Sequence, residues 1–226
     1  MAGFADAVAQ HWREPDAGIW EVRTEPAHHV HSKLMAWLTL DRALLISGRH
    51  RTSDARLRRW AAEREALRKE ITKCGFDPVR GTYTRSYGSS DTDAALLILP
   101  QLAFDPPDSS RVSGTIDAIA RDLDAGPPLL YRYPPGQDGL PGKEGAFLPC
   151  SFWFVQALAE TGLAAEANAL FEELLGLASP VGLYAEEMNP RTHRHLGNYP
   201  QALTHAALVQ AALAIRDAGR GRRSTP

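Results

Sequence analysis

Three short stretches of this 226-residue sequence carry residue types suited to acid–base chemistry on a polyhydroxylated substrate. The first is Gly18-Ile19-Trp20-Glu21-Val22-Arg23. An indole beside a carboxyl group forms an apolar wall that raises the carboxyl pKa by desolvation. A carboxyl kept protonated near neutral pH can act as a general acid. The indole also offers a flat face on which a sugar ring can stack. The second stretch is Gly182-Leu183-Tyr184-Ala185-Glu186-Glu187-Met188-Asn189-Pro190. In extended backbone, neighbouring side chains point to opposite sides, so one glutamate of the pair can face a cleft while the other is held from behind. The third is Tyr131-Arg132-Tyr133-Pro134, an arginine between two tyrosines, where a guanidinium can donate to sugar hydroxyls. Read singly, each has a plainer explanation: a surface glutamate beside a core tryptophan, a solvated acidic turn, and an arginine that pins its own loop.

Glu21 and Glu186 are 165 positions apart and can meet only through the fold. The elements that must position them read as helices joined by long polar loops. Apolar residues recur with a helical period over 27–47 (Val30, Leu34, Trp37, Leu38, Leu44, Leu45) and over 53–73 (Leu57, Trp60, Leu67, Ile71). Further helices are expected at Phe4–Trp12, 91–102, 111–123, 144–160, 164–177 and 200–217. The loops at 13–26, 75–90, 124–143 and 179–198 are long for a compact domain and contain the three stretches above. Almost no segment alternates with period two, so no sheet is expected beyond a short hairpin near 79–86. Segment 144–160 is apolar on nearly all sides, whereas 53–73 carries charge on its remaining faces. A helix apolar all round needs neighbours all round, and two concentric layers of helices accommodate both kinds. A solenoid of helical hairpins would show a repeat of about 34–45 residues, and none is present.

Composition narrows the function. A hydrophobic fraction of 44% with 23% charged residues is that of an ordinary globular protein, and the formal net charge of −2 gives no general affinity for nucleic acid or anionic membrane. The longest apolar run, Ala94–Leu99, is too short to span a bilayer. Two cysteines, Cys74 and Cys150, and a start without the pattern of a secretory signal lead to a cytoplasmic expectation. His28, His29, His31, His193 and His195 fit no zinc-site spacing, so no metal is expected. No phosphate-cradling glycine loop and no nucleophile elbow occurs, and two-carboxylate chemistry calls for no cofactor. Residues 219–226 are expected to be a disordered basic tail.

Taken together, the segments PDAGIWEVR with HSKLMAWLTLDRAL, RSYGSSDTDAALLILP, LLYRYPPGQDGLPGKEGAFLPCSFWFVQAL, GLYAEEMNP and LGNYPQALTHAALVQAAL resemble glycoside hydrolase family 15. This family contains glucoamylases, glucodextranases and bacterial trehalases. The resemblance implies an all-α (α/α)6 barrel, and an α-linked glucoside or oligosaccharide hydrolysed with inversion. It implies Glu21 as general acid and Glu186 as general base, the latter chosen over Glu187 by family position. Trp20, Arg132, Lys33 and Glu187 are the implied substrate-binding residues. The sequence departs from the pattern in two ways. Helices that precede the acid loop in the family are not seen, so residues 1–218 read as the C-terminal part of a catalytic domain, an incomplete barrel with about eight of twelve helices. Asn189 also stands where an aspartate is more usual. These departures lead to the expectation that the polypeptide is weakly active or inactive alone, and that exposed helix flanks favour a companion segment or self-association. The competing readings are a non-catalytic helical remnant that binds carbohydrate or a partner protein, and an unrelated helical scaffold.

Overall fold

A computed structural model describes residues 2–47, 52–136 and 144–221. The chain is dominated by helices and divides into two compact units, one running to Asp91 and the other starting at Thr92.

The first unit holds α1 (Ala2–His11), α2 (Val30–Ser47) and α3 (Asp54–Cys74). On α2, Val30, Leu34, Trp37 and Leu40 are buried on one stripe, and on α3 Trp60, Leu67 and Ile71 form its counterpart. Small buried residues, Ala5 and Ala9, let α1 lie close to both. Indole N–H groups tie α1 to α3. Trp60 donates to Asp6 at 3.0 Å, and Trp12, just past α1, donates to Glu63 at 2.8 Å. After Gly75 closes α3, β1 (Phe76–Asp77) pairs antiparallel with β2 (Thr82–Tyr83). The expected hairpin is present, shifted a few residues toward the N-terminus.

The second unit opens with a 3-10 turn, Ala94–Ile98, whose N-cap Asp93 accepts from Ala95 N–H at 2.8 Å. It continues into a single turn of helix, α4 (Leu99–Leu102), which ends at Ala103 in the left-handed region (φ +55°). The expected continuous helix over 91–102 is therefore two short pieces. Ser109 caps α5 (Ser110–Asp122) through Val112 N–H, and α5 buries Val112, Ile116 and Ile119. Next come β3 (Ala146–Phe147), α6 (Leu148–Glu160), α7 (Ala164–Leu175), β4 (Glu187–Met188), β5 (His195–Leu196) and α8 (Ala202–Gly221). Helix α6 is buried on nearly all sides and packs against α4, α5, α7 and α8. Pro149 in its first turn costs no hydrogen bond there. Buried Thr204, Ala207 and Ala211 on α8 allow close approach to α6. Helix α8 continues into the segment expected to fray, and residues 222–226 lie outside the described residues.

One expectation is corrected by the strands. β3, β4 and β5 form a three-stranded antiparallel sheet in that order, with Ala146 opposite Met188 and Met188 opposite His195. The sequence offered no period-two signal because each strand is two residues long. Residues 144–147, assigned to the start of a helix, are instead the approach to and the first strand of this sheet.

The C-terminal end of α6 leads to a testable consequence. Gln156 Nε2 donates to Glu160 Oε1 at 2.9 Å, while Gln156 Oε1 and Glu160 Oε2 are buried without a hydrogen-bond partner among the described residues. Burial pushes the Glu160 carboxyl pKa up against the opposing hydrogen bond. A carboxyl raised in the folded state weakens the fold once ionised, and this penalty is absent below the ordinary carboxylate range. Glu160→Gln is thus expected to stabilise the protein at pH 7 by about 0.5–1 kcal/mol, with the gain fading as pH falls below about 4. Urea denaturation at the two pH values reads the difference.

Candidate active site

The loop carrying Glu21 is built by Asp16 and Lys33. Asp16 and Ala27 exchange backbone hydrogen bonds at 3.0 and 2.9 Å, closing the loop base. The Asp16 carboxylate accepts from Gly18 N–H at 2.7 Å and from Ser32 Oγ at 2.8 Å. Lys33 is 2% exposed, and its ammonium donates to the Trp12 and Glu14 carbonyls at 2.5 and 2.7 Å. Burial lowers the Lys33 pKa, opposed by the negative charges of Asp16, Glu70 and Glu14. Gly18 has φ +70°, and a Cβ there would lie 3.0 Å from the His29 ring, so the position suits glycine for both space and backbone. Glu21 itself takes a left-handed backbone (φ +49°), with its N–H donating to Gly18 O at 3.3 Å. This conformation is uncommon for a residue bearing a Cβ and turns the side chain outward between Trp20, half-buried, and Val22, buried. The Glu21 side chain is exposed.

In the second unit Glu186 lies in a bend just before β4 and Glu187 is the first residue of that strand. Glu186 N–H donates to Asn198 O at 2.9 Å, and Glu186 O accepts from Leu148 N–H at 3.1 Å. Its carboxylate oxygen Oε2 accepts from Asn198 Nδ2 at 3.1 Å and from Asn198 N–H at 3.3 Å. Gly197 (φ +71°) lies directly beneath, where a Cβ would sit 2.9 Å from that same oxygen. Glu187, on β4, points the other way. Its Oε2 accepts from Gly145 N–H at 3.2 Å, and its Oε1 lies 3.8 Å from the Arg132 guanidinium. Burial raises the Glu187 pKa, the Gly145 hydrogen bond and Arg132 oppose this, and the charges of Glu144 and Glu186 add to it.

Arg132 lies between two carboxylates. Its Nε donates to Glu144 Oε1 at 2.8 Å, a second guanidinium nitrogen donates to the same oxygen, and Tyr133 OH donates there at 3.0 Å. The guanidinium carbon lies 5.0 Å from the Tyr133 ring centroid and 5.3 Å from that of Phe147. Burial disfavours the Arg132 cation, but Glu144 outweighs it and raises the Arg132 pKa. A cleft of about 450 Å³ opens beside this row, lined among others by Tyr131, Glu144, Gly145, Asn189 and Leu196. The Asp138–Pro141 stretch and Lys143 lie outside the described residues.

Sequence reasoning missed Glu144 and Asn198. Glu144 follows Arg132 by only twelve positions and immediately precedes Gly145, but it was assigned to a helix start. Asn198 gave no local sign, because its role depends on the pairing of β4 with β5. Glu144→Gln keeps the size and removes the charge facing Arg132. It is expected to cost about 2 kcal/mol of stability, the range of a charge-assisted hydrogen bond, as read by chemical denaturation. Among the described residues, no three or more His, Cys, Asp or Glu side chains gather as for a metal ion, and no helix is long and apolar enough to cross a membrane.

Solved structures of glycosidases share this fold. A glucoamylase from Saccharomycopsis fibuligera superposes with a TM-score of 0.77 at 14% identity, over 95% of this chain and 60% of its own. A glycosidase in complex with glucose superposes with a TM-score of 0.72 at 20% identity, over 93% and 58%. The fold is thus an α/α barrel, matched here in part, as the resemblance implied. The sequence profile of Glycosyl hydrolases family 15 matches residues 3–177, and the chain belongs to that family. The match includes Glu21, Lys33, Arg132 and Glu144, while Glu186, Glu187 and Asn198 lie beyond it. A trehalase from Mycobacterium tuberculosis is 46% identical over 211 residues, 93% of this chain and 31% of its own length. A trehalase from Thermoplasma volcanium is 36% identical over 207 residues, 92% of this chain and 33% of its own. The chain therefore spans about a third of the length of these curated relatives.

Proposed function

We propose that residues 1–218 are part of the catalytic domain of an inverting glycoside hydrolase, and that its substrate is the α,α-linked disaccharide trehalose. The observation that carries this reading is the Glu186 carboxylate, held by Asn198 and followed in sequence by Glu187 of the Glu187–Arg132–Glu144 row. Glu21 serves as general acid and protonates the glycosidic oxygen. Glu186 serves as general base and takes a proton from the attacking water. Inversion requires the two carboxyl groups to stand about 6.5–9.5 Å apart across the bond. Trp20 stacks on the sugar ring, and Arg132 donates to its hydroxyls. Glu187 and Glu144 fix the guanidinium. Lys33, buried against two carbonyls, shapes the acid loop without touching sugar. The name trehalase on the curated relatives supports trehalose as the substrate.

The anomers released from trehalose test the reading. Inversion at one anomeric carbon yields one β-glucose and leaves one α-glucose, so proton NMR at early times is expected to show the two in equal amounts. Two α-glucoses would mean retention and overturn the mechanism. Faster glucose release from maltotriose than from trehalose would overturn the substrate.

A further inference from the structure

The peptide segment that leads into Glu186 is held in an unusual way. Tyr184 and Ala185 are buried, 1% and 0% exposed, yet they precede β4 and so lie outside the strand ladder. Buried peptide groups need partners. Three of the six N–H and C=O groups of residues 184–186 bond to backbone: Tyr184 O accepts from Gln201 N–H at 2.9 Å, Glu186 N–H donates to Asn198 O, and Glu186 O accepts from Leu148 N–H. Ala185 O accepts from Thr204 Oγ1 at 2.8 Å. The remaining two are the consecutive N–H groups of Tyr184 and Ala185, and each meets an imidazole. Ala185 N–H donates to His195 Nδ1 at 3.0 Å, and Tyr184 N–H donates to His205 Nε2 at 3.4 Å.

A peptide N–H can only donate, so each of those ring nitrogens carries a lone pair. The other nitrogen of each ring faces a carbonyl, which can only accept. His195 Nε2 lies 3.1 Å from Leu177 O, and His205 Nδ1 lies 2.7 Å from Gln201 O. The two rings are therefore neutral and in opposite tautomers, His195 protonated on Nε2 and His205 on Nδ1. Aromatic packing fixes their planes. The Tyr184 ring lies 6.3 Å from His195 and 5.8 Å from His205, and Tyr199 closes on His195 at 5.7 Å. Tyr184 is anchored in turn by its hydroxyl, which donates to Leu174 O at the end of α7 at 3.0 Å.

We infer that His195 and His205 are positioning residues for the general base: as neutral imidazoles of opposite tautomer they receive the two backbone N–H groups preceding Glu186 and set the line from which its carboxylate projects. The inference rests on Glu186 being the base. The two histidines act through the backbone rather than on the substrate.

The test uses the 226-residue chain with 15N-labelled histidine. Long-range 1H–15N correlation at neutral pH is expected to show His195 as the Nε2–H tautomer and His205 as the Nδ1–H tautomer. The reversed tautomer at either ring, or a rapidly exchanging mixture, overturns the inference. This reading needs no variant and no activity. Variants then separate an acceptor from mere bulk. In His195→Asn the amide oxygen replaces Nδ1, and in His205→Gln it replaces Nε2, whereas His195→Phe and His205→Phe keep a ring without an acceptor. Hydrogen exchange of the Ala185 amide is expected to speed up about 10-fold in His195→Phe and to stay within about 3-fold of the parent in His195→Asn, with the same contrast at Tyr184 for His205. Unchanged exchange in the phenylalanine variants overturns the inference. Correct tautomers together with unchanged trehalose cleavage in Glu186→Gln would remove the base role of Glu186 but leave the lock. Wrong tautomers in a chain that does cleave trehalose would remove the lock alone.

Discussion

Replacing Glu186 with glutamine is expected to slow glucoside hydrolysis by about 10²–10⁴-fold, the usual contribution of a positioned general base, while sugar binding changes little. Glutamine has the same shape and keeps an oxygen for Asn198 to bond, so the segment should hold its place. What disappears is the ability to take a proton from water. Glu21→Gln is expected to cause a loss of the same order for a different reason, since the leaving oxygen is no longer protonated. A glucosyl substrate with a leaving group that needs no proton, such as α-glucosyl fluoride, separates the two. It should restore most of the rate to Glu21→Gln and little to Glu186→Gln. Restoration in both variants, or in neither, would remove the assigned roles.

The second large effect involves no ionisable group. Gly197→Ala places a methyl group 2.9 Å from Glu186 Oε2 and 3.1 Å from Glu186 Cβ, at a backbone φ of +71°. Either the carboxylate moves or the β5 end of the turn does, and both displace the proposed base. Misplacement by about 1 Å is enough to cost 10²-fold in rate, so a loss of about that size in kcat is expected, with KM nearly unchanged. The backbone cost is about 1–2 kcal/mol and should appear in denaturation as a separate, modest loss of stability. A Gly197→Ala protein with full kcat would show that the Glu186 carboxylate need not occupy the position seen here.

Helix α3 was legible because Trp60, Leu67 and Ile71 recur on one face of an otherwise charged helix. Helix α6 was legible for the opposite reason, an apolar surface all round that demanded neighbours all round. The pieces around Ala94–Leu102 were not, since an apolar run without polar breaks does not reveal where a 3-10 turn gives way to one turn of helix. The different partners of Glu186 and Glu187 were not legible, since Glu186 lies in a bend before β4 and Glu187 on the strand. Non-local bonds were hidden. Asn198 reaches Glu186 through strand pairing, Lys33 reaches back to Trp12 and Glu14, and His195 and His205 meet residues 184 and 185 from two separate elements. The left-handed backbone of Glu21 also has no residue-type signature, because glycine, the usual marker, is absent there.

The most direct test of the two-carboxylate assignment is the separation between the carboxyl oxygens of Glu21 and Glu186 in a crystal structure of the protein with glucose bound. A distance of about 6.5–9.5 Å across the sugar's anomeric carbon, with Trp20 and Arg132 on the ligand, is the predicted result. A separation of about 5–5.5 Å would indicate a retaining enzyme, and carboxyls too far apart to share one glycosidic bond would contradict the assignment altogether.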